Sequence, residues 1–171
     1  MAVYLTRFNS DTFAENVVFR KQHPKVGCIY GSTNEITSCA YGDVMFMIEM
    51  NNTTNKVEGI GMVRNKPNHS IMHRVYTHSI FNEFVYCGKY RLDRSEILEE
   101  DNDLVTFLDE VLFKGRGNSK RGSTLSRISQ RIFARDTVNM SYVELVIRIN
   151  KIFISKCQIN ILEENIQYVK R

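Results

Sequence analysis

Five cations, Lys114, Arg116, Lys120, Arg121 and Arg127, fall within "KGRGNSKRGSTLSR", a fourteen-residue stretch without an acidic residue. Glycine and asparagine are interspersed among them, so the backbone can curve around a phosphate and offer N–H groups beside the side-chain charge. A solvated surface turn would also be basic and glycine-rich, but the charge here is denser and more one-sided than solubility requires. A nucleoside-triphosphate P-loop is excluded, because "GRGNSKRGS" lacks the G-K-[ST] ending after a strand.

A second constellation is aromatic. Tyr30 in "CIYGSTN" and Tyr86 in "FVYCGKYRLDR" each lie in a short strand-like run near a glycine, Gly31 and Gly88. An aromatic held out from such a ribbon could stack on a nucleobase, a contact worth roughly 1–3 kcal/mol. Ser32, Thr33 and Asn34 follow Tyr30 and could offer hydroxyl, amide and backbone groups to a base edge. Both tyrosines also suit a core with hydroxyls at its rim, and spacing alone favours that reading over stacking.

Catalytic patterns are missing. No Ser-His-Asp order, H-E-x-x-H or C-x-x-C occurs, so no enzymatic activity is expected. Glu49, in an alternating strand, could accept a proton or a base N–H, or be the strand's exposed polar partner. The acidic run Glu99, Glu100, Asp101 and Asp103 reads mainly as a solvated helix face. Cys28, Cys39, Cys87 and Cys157 are scattered, and His69, His73 and His78 have no acidic or thiol partner nearby in sequence. Neither a metal nor a cofactor is expected.

These residues must be positioned by short alternating elements. "VYLTRF" reads as a first strand. A helix follows, started by Asn9 or Ser10 and by Asp11 at its positive end, with Phe13, Val17 and Val18 toward the core; Pro24 and Gly27 end it. "CIYGST" is a further strand. "DVMFMIEM" and "VEGIGMV", joined by "NNTTNK", read as an antiparallel hairpin, with Gly59 and Gly61 marking a bulge or a close backbone approach. "SIMHRVYTH" is ambiguous and "FVYCGKYRLD" is a strand. "SEILEEDNDLVTFLDEVLF" reads as one helix capped by Ser95. The segment from Val138 to Val169 reads as helical, with Val143, Val146, Ile149, Ile152 and Phe153 on one face, although "KIFISK" also suits a strand.

The chain has 171 residues, 43% hydrophobic and 25% charged, with a formal charge of +4. That suits one domain with a real core and only mildly favours an anionic partner. No apolar run is long enough for a bilayer, and "MAVYLTRFNSDTF" has no signal-peptide core. An intracellular setting, cytoplasmic or nuclear, without membrane association is expected. The element order predicts an α+β fold: a small curved β-sheet or barrel with flanking helices.

The run "KVGCIYGSTNEITSCAYGDVMFMIEMNNTTNKVEGIGMV" resembles the core of YTH domains and, more loosely, EVE, ASCH and other PUA-like modules. YTH domains carry a cage tryptophan followed by Ser-Thr and Asn, then a strand pair of the type G-V-A-E-M, then W-x-G-x-F. Tyr30, Ser32 to Asn34, "EGIGMV" and Tyr86-Cys87-Gly88-Lys89-Tyr90 fall in that order, although the chain contains no tryptophan. The resemblance covers about residues 3 to 127. It implies a single PUA-like domain over 1–171, with a C-terminal helical extension from about 138. It further implies a base pocket formed by Tyr30, Ser32, Thr33, Asn34 and Tyr86, with Arg91 and Arg94 on its rim beside the Lys114–Arg127 loop as phosphate contacts. Tyrosines in place of tryptophans would grip a methylated base edge less strongly. "NKVEGIGMV", "GKYRLDRSEI" and the "KRG" loop also resemble uncharacterised proteins of large DNA viruses.

The function expected is therefore binding of RNA, or of another single-stranded or modified nucleic acid. The alternative is a viral structural or host-factor interaction protein that presents its C-terminal helix to a protein partner. A weaker alternative is an RNA- or base-processing enzyme.

Overall fold

The computed structural model describes residues 1–68 and 74–159. The expectations for His69, His73 and the segment beyond 159 lie outside the described residues. The fold is α+β. In chain order the elements are β1 (Ala2–Phe8), α1 (Ser10–Gln22), β2 (Cys28–Ser32), β3 (Val44–Asn51), β4 (Lys56–Arg64), β5 (Phe84–Gly88), β6 (Tyr90–Asp93), α2 (Arg94–Glu100), α3 (Asn102–Phe113), β7 (Leu125–Arg127) and α4 (Tyr142–Cys157). Short 3₁₀ turns cover Ser79–Asn82 and Gln130–Ile132.

Five strands form an open sheet in the order β6-β4-β3-β1-β7, and β2 pairs with β5 in a separate two-stranded sheet. The strands do not close into a barrel. β3 and β4 form the expected antiparallel hairpin, whereas β1 runs parallel to β3, with Ala2 opposite Met45 and Phe8 opposite Asn51. A parallel partner needs a long crossover, and here α1 and β2 supply it.

Strand alternation then gives the sheet two apolar faces. Val3, Leu5, Phe46, Ile48 and Ile60 face α2, α3 and α4, packing with Leu108, Leu112, Ile149 and Phe153. Tyr4, Phe8, Met45 and Met47 face the other way, packing with Phe19 of α1 and with Ile29, Tyr30, Val85 and Tyr86 of the β2–β5 pair. The five-stranded sheet is thus the middle of three layers.

Several local expectations are corrected. Asn9 caps α1, accepting the Thr12 N–H at 2.8 Å, but Val18 is exposed and Asn16 and Phe19 are the buried positions. The single helix from Ser95 is two helices. Asp93, not Ser95, is the N-cap of α2, and its N–H donates to Glu96 at 2.6 Å. Asp101 breaks the run at φ −155° and caps α3 by accepting the Leu104 N–H. Arg148 of α4 also engages the Asp101 carboxylate, Nε donating at 2.7 Å. Burial opposes that charge most, but the Arg148 hydrogen bond and charge, the Leu104 N–H and the Lys151 charge together outweigh it and hold Asp101 below the ordinary carboxylate range. "KIFISK" is helical, and α4 buries Leu145, Ile149, Ile152 and Phe153 while Val143 is exposed. Among the described residues no helix is long and apolar enough to cross a membrane.

Candidate nucleic-acid interface

The basic stretch is a loop that leaves α3 at Lys114 and returns to the sheet as β7, antiparallel to β1. Gly115, Gly117 and Gly122 have φ of 74°, 77° and 135°, a region where a side chain is strained. Arg7 of β1 reaches across to tie the loop. Its Nε donates to the Ser119 carbonyl at 2.7 Å, and Nη1 donates to the Ser123 carbonyl at 2.7 Å and Ser126 Oγ at 2.9 Å. Asn52 Nδ2 donates to the Lys120 carbonyl at 3.0 Å, and Arg135 Nη2 to the Gly117 carbonyl at 2.6 Å.

The Gly117, Ser119, Lys120 and Ser123 carbonyl oxygens, which would repel an anion, are therefore occupied by the protein's own donors. The side chains of Lys114, Arg116 and Arg121 are exposed and that of Lys120 partly so. Lys114 lies 3.6 Å from Glu110. Arg116, Lys120 and Arg121 have no ion pair among the described residues. Burial lowers the Arg7 guanidinium from its ordinary value, and its side-chain partners among the described residues are neutral oxygens. Arg7→Ala should leave those carbonyls without donors, at about 1–3 kcal/mol. Amide hydrogen exchange across 119–126 should accelerate selectively; an unchanged pattern would exclude Arg7 as the tie.

Beside this loop lies a small cleft of about 130 Å³, reached from Arg7 and Thr124 and walled by Phe8, Tyr76 and Phe81. Gly31 forms part of its wall, where a Cβ would come within 1.8 Å of the Phe81 carbonyl oxygen. Tyr76 is buried, accepts from Asn16 Nδ2 at 3.1 Å, and its phenol is raised by that burial. Thr124 Oγ1 is buried and has no hydrogen-bond partner among the described residues. Drug-sized pockets span roughly 300–1,000 Å³, so this cleft suits one small ring system with a single polar contact.

The base pocket expected around Tyr30 and Tyr86 is corrected. Both side chains are 0% exposed, so neither ring offers a face for stacking. Tyr30 Oη donates to Glu49 Oε1 at 2.7 Å, and Tyr86 Oη accepts the Ile36 N–H at 2.8 Å. Burial and then the Glu49 charge push the Tyr30 phenol well above its ordinary value. Ser32 is buried and accepts the Asn34 N–H at 3.2 Å; Asn34 is exposed and donates to Thr33 Oγ1 at 3.0 Å.

Arg91 and Arg94 are corrected too. Arg91 Nε and Nη2 donate to the two Glu49 oxygens at 2.9 and 2.7 Å, and Nη1 pairs with Asp93. Burial opposes the charge on Arg91 most, and Glu49, Tyr30 and Asp93 together outweigh it, so the guanidinium is held above its ordinary value. Arg94 donates to the Val57 carbonyl at 2.8 Å and pairs with Asp109 at 2.7 Å. Both arginines are internal ties. Arg127 is exposed, with Nη1 3.5 Å from the Ser38 carbonyl.

The loop and the cleft are thus adjacent, while the two tyrosines stand behind them in the core. Arg7, Phe8, Tyr76, Phe81 and Thr124 were missed in the sequence. The one available signal was Arg7, a lone cation in a strand that is apolar apart from Thr6. No protein-family model matches this chain, and no curated protein sequence matches it.

Proposed function

We propose that this chain binds single-stranded nucleic acid, RNA foremost, as a PUA-like module. Phosphates lie on the Lys114–Arg121 loop, and one base enters the cleft walled by Phe8, Tyr76 and Phe81. The observation that carries this reading is the loop itself: its Gly117, Ser119, Lys120 and Ser123 carbonyls are tied inward while its cations face solvent beside an aromatic-walled cleft. Flat rings and phosphates are the two chemical features that every nucleotide offers to such a pair of sites. The Thr124 hydroxyl, without a partner among the described residues, supplies a polar contact for a base edge.

Replacing Lys114, Arg116, Lys120 and Arg121 together with alanine should weaken binding of RNA oligonucleotides without unfolding the protein. The log–log salt dependence should become shallower by about 0.7 for each lost phosphate contact. Unmodified RNA, methylated RNA and DNA of one sequence, titrated in parallel, separate preference for the base from preference for the sugar. Unchanged affinity and salt slope in the quadruple variant would remove the loop from the interface.

A second reading rests on α4, where Val143, Ile147 and Ile154 are exposed. Apolar side chains grouped on one helix face suit a protein partner. Under that reading the quadruple variant leaves the partner's binding intact.

A further inference from the structure

The β1–β3 pair has a second basic feature at its other end. Where the end of β4 and the start of β6 meet β5, a groove of about 460 Å³ is lined by Arg64, Lys66 and Lys89 together with Val44, Cys87 and Tyr90. Among the described residues no carboxylate belongs to its lining. Lys66 and Lys89 are exposed, and the Lys89 ammonium stands 5.2 Å from the centre of the Tyr90 ring. The nearest acidic side chain along the chain, Asp43, faces Cys39, whose Sγ lies 3.6 Å from its carboxylate.

This groove is connected to the basic loop by a continuous stretch of protein. Arg127 of β7 reaches the Ser38 carbonyl at 3.5 Å. Four residues further on, Arg64 Nη1 donates to the Gly42 carbonyl at 3.1 Å. Asn65 Nδ2 holds the segment between by donating to the Cys39 carbonyl at 2.8 Å. Four residues span at most about 14 Å, so the 38–42 segment brings Arg127 on the β7 edge and Arg64 of β4 to its two ends, and the cations of loop, Arg127 and groove follow one another down β7 and then across the end of the sheet. The loop is tied at the C-terminal end of β1, and the groove lies beside Val44 at the start of the parallel strand β3. The six-residue advance of β1 separates the two ends by about 20 Å.

We propose that the groove of Lys66, Lys89 and Arg64 is a second phosphate-contact site, so that one RNA strand runs from the basic loop past Arg127 into the groove. This rests on the nucleic-acid reading above and extends it. A ligand of one or two nucleotides is too short to engage both ends, and a longer strand engages both. Repeated cations matched to a repeating backbone charge produce strong salt dependence without sequence preference.

A twelve-nucleotide oligouridylate, which folds little by itself, tests this against the full chain. Lys66→Glu and Lys89→Glu, singly and together, are compared with the loop quadruple variant and with Lys151→Glu, an exposed site on α4 that controls for net charge. The double variant should bind at least about tenfold more weakly, with a salt slope shallower by about 1.4, twice the single-strand increment. Cys87 gives an independent readout, since it is exposed in the groove. Its alkylation, followed by mass spectrometry, should slow when the twelve-mer is bound and not when uridine monophosphate or inorganic phosphate is added.

Three results overturn the proposal while the loop reading stands: unchanged affinity and slope in the double variant, a loss no greater than in Lys151→Glu, or alkylation of Cys87 at the free rate under bound RNA. Protection of Cys87 by phosphate or uridine monophosphate alone also overturns it, because the groove is then a small-anion site. Absence of salt-dependent RNA binding by the unaltered chain defeats both readings together.

Discussion

Glu49→Ala should cost about 3–5 kcal/mol, the range for breaking one partner of a buried ion pair. Glu49 is 0% exposed and sits in the middle of the sheet on the face covered by β2 and β5. Its carboxylate accepts from Tyr30 Oη and from two nitrogens of Arg91, itself almost wholly enclosed. Removing the carboxylate leaves a buried guanidinium with Asp93 as its remaining ion-pair partner, and a phenol without its acceptor. The sheet is built to admit this network. A Cβ on Gly61 would come within 2.0 Å of Tyr30 Oη, and one on Gly59 within 2.7 Å of Arg91 Nη2. The strand register shifts between Glu49 and Met50 at the same place. Urea denaturation followed by circular dichroism reads the loss. A double replacement, Glu49→Leu with Arg91→Met, should recover much of it, since an apolar pair avoids stranding a charge. A Glu49→Ala protein within about 1 kcal/mol of the parent would show the network to be dispensable, contrary to that general cost.

Tyr86→Ala should have an effect of similar size, about 3–5 kcal/mol, as for other large aromatic truncations in a core. The ring is fully enclosed between the two sheets, and burial raises its phenol above the ordinary value despite the Ile36 N–H. Tyr86→Phe keeps the packing and removes only the acceptor for that N–H, so it should cost about 1–3 kcal/mol. The pair of variants separates packing from recognition. Tyr86→Phe should bind RNA as the parent does, and Tyr86→Ala should lose binding only in step with its melting temperature. A stable Tyr86→Ala protein that has lost RNA affinity would return the ring to the interface.

What could be read from the residues alone was local. The β3–β4 hairpin followed from alternation and a turn-rich link, and Asn55 in the link has φ of 55°. The α1 cap followed from Asn9, the α+β class from element order, and the basic loop from charge and glycine. Each of these depends on neighbours a few positions apart, whose spacing is fixed by covalent geometry. The exposed or buried state of a strand aromatic has a different origin. Tyr30 and Tyr86 lie opposite each other in the β2–β5 pair, and that pair lies against a face of the sheet to which neither strand is hydrogen-bonded. Alternation says that the rings share a face; only the stacking of the two sheets says that this face is closed.

The same reason governs the charges. In sequence, Arg91 and Arg94 look as available to a phosphate as Arg116 and Arg121. Folding sets Glu49, 42 positions away, against Arg91, and Asp109, 15 positions away, against Arg94. Arg7 looks like an exposed strand cation and instead crosses 112 positions of chain to hold the Ser119 carbonyl. The sequence by itself determined the β3–β4 hairpin, the start of α1 and the basic loop, because those choices are made by short-range sterics and periodicity. The tertiary structure alone decided which cations face solvent and which aromatics wall a cleft, because a charge or a ring is spent on whatever partner long-range packing brings within about 3–4 Å.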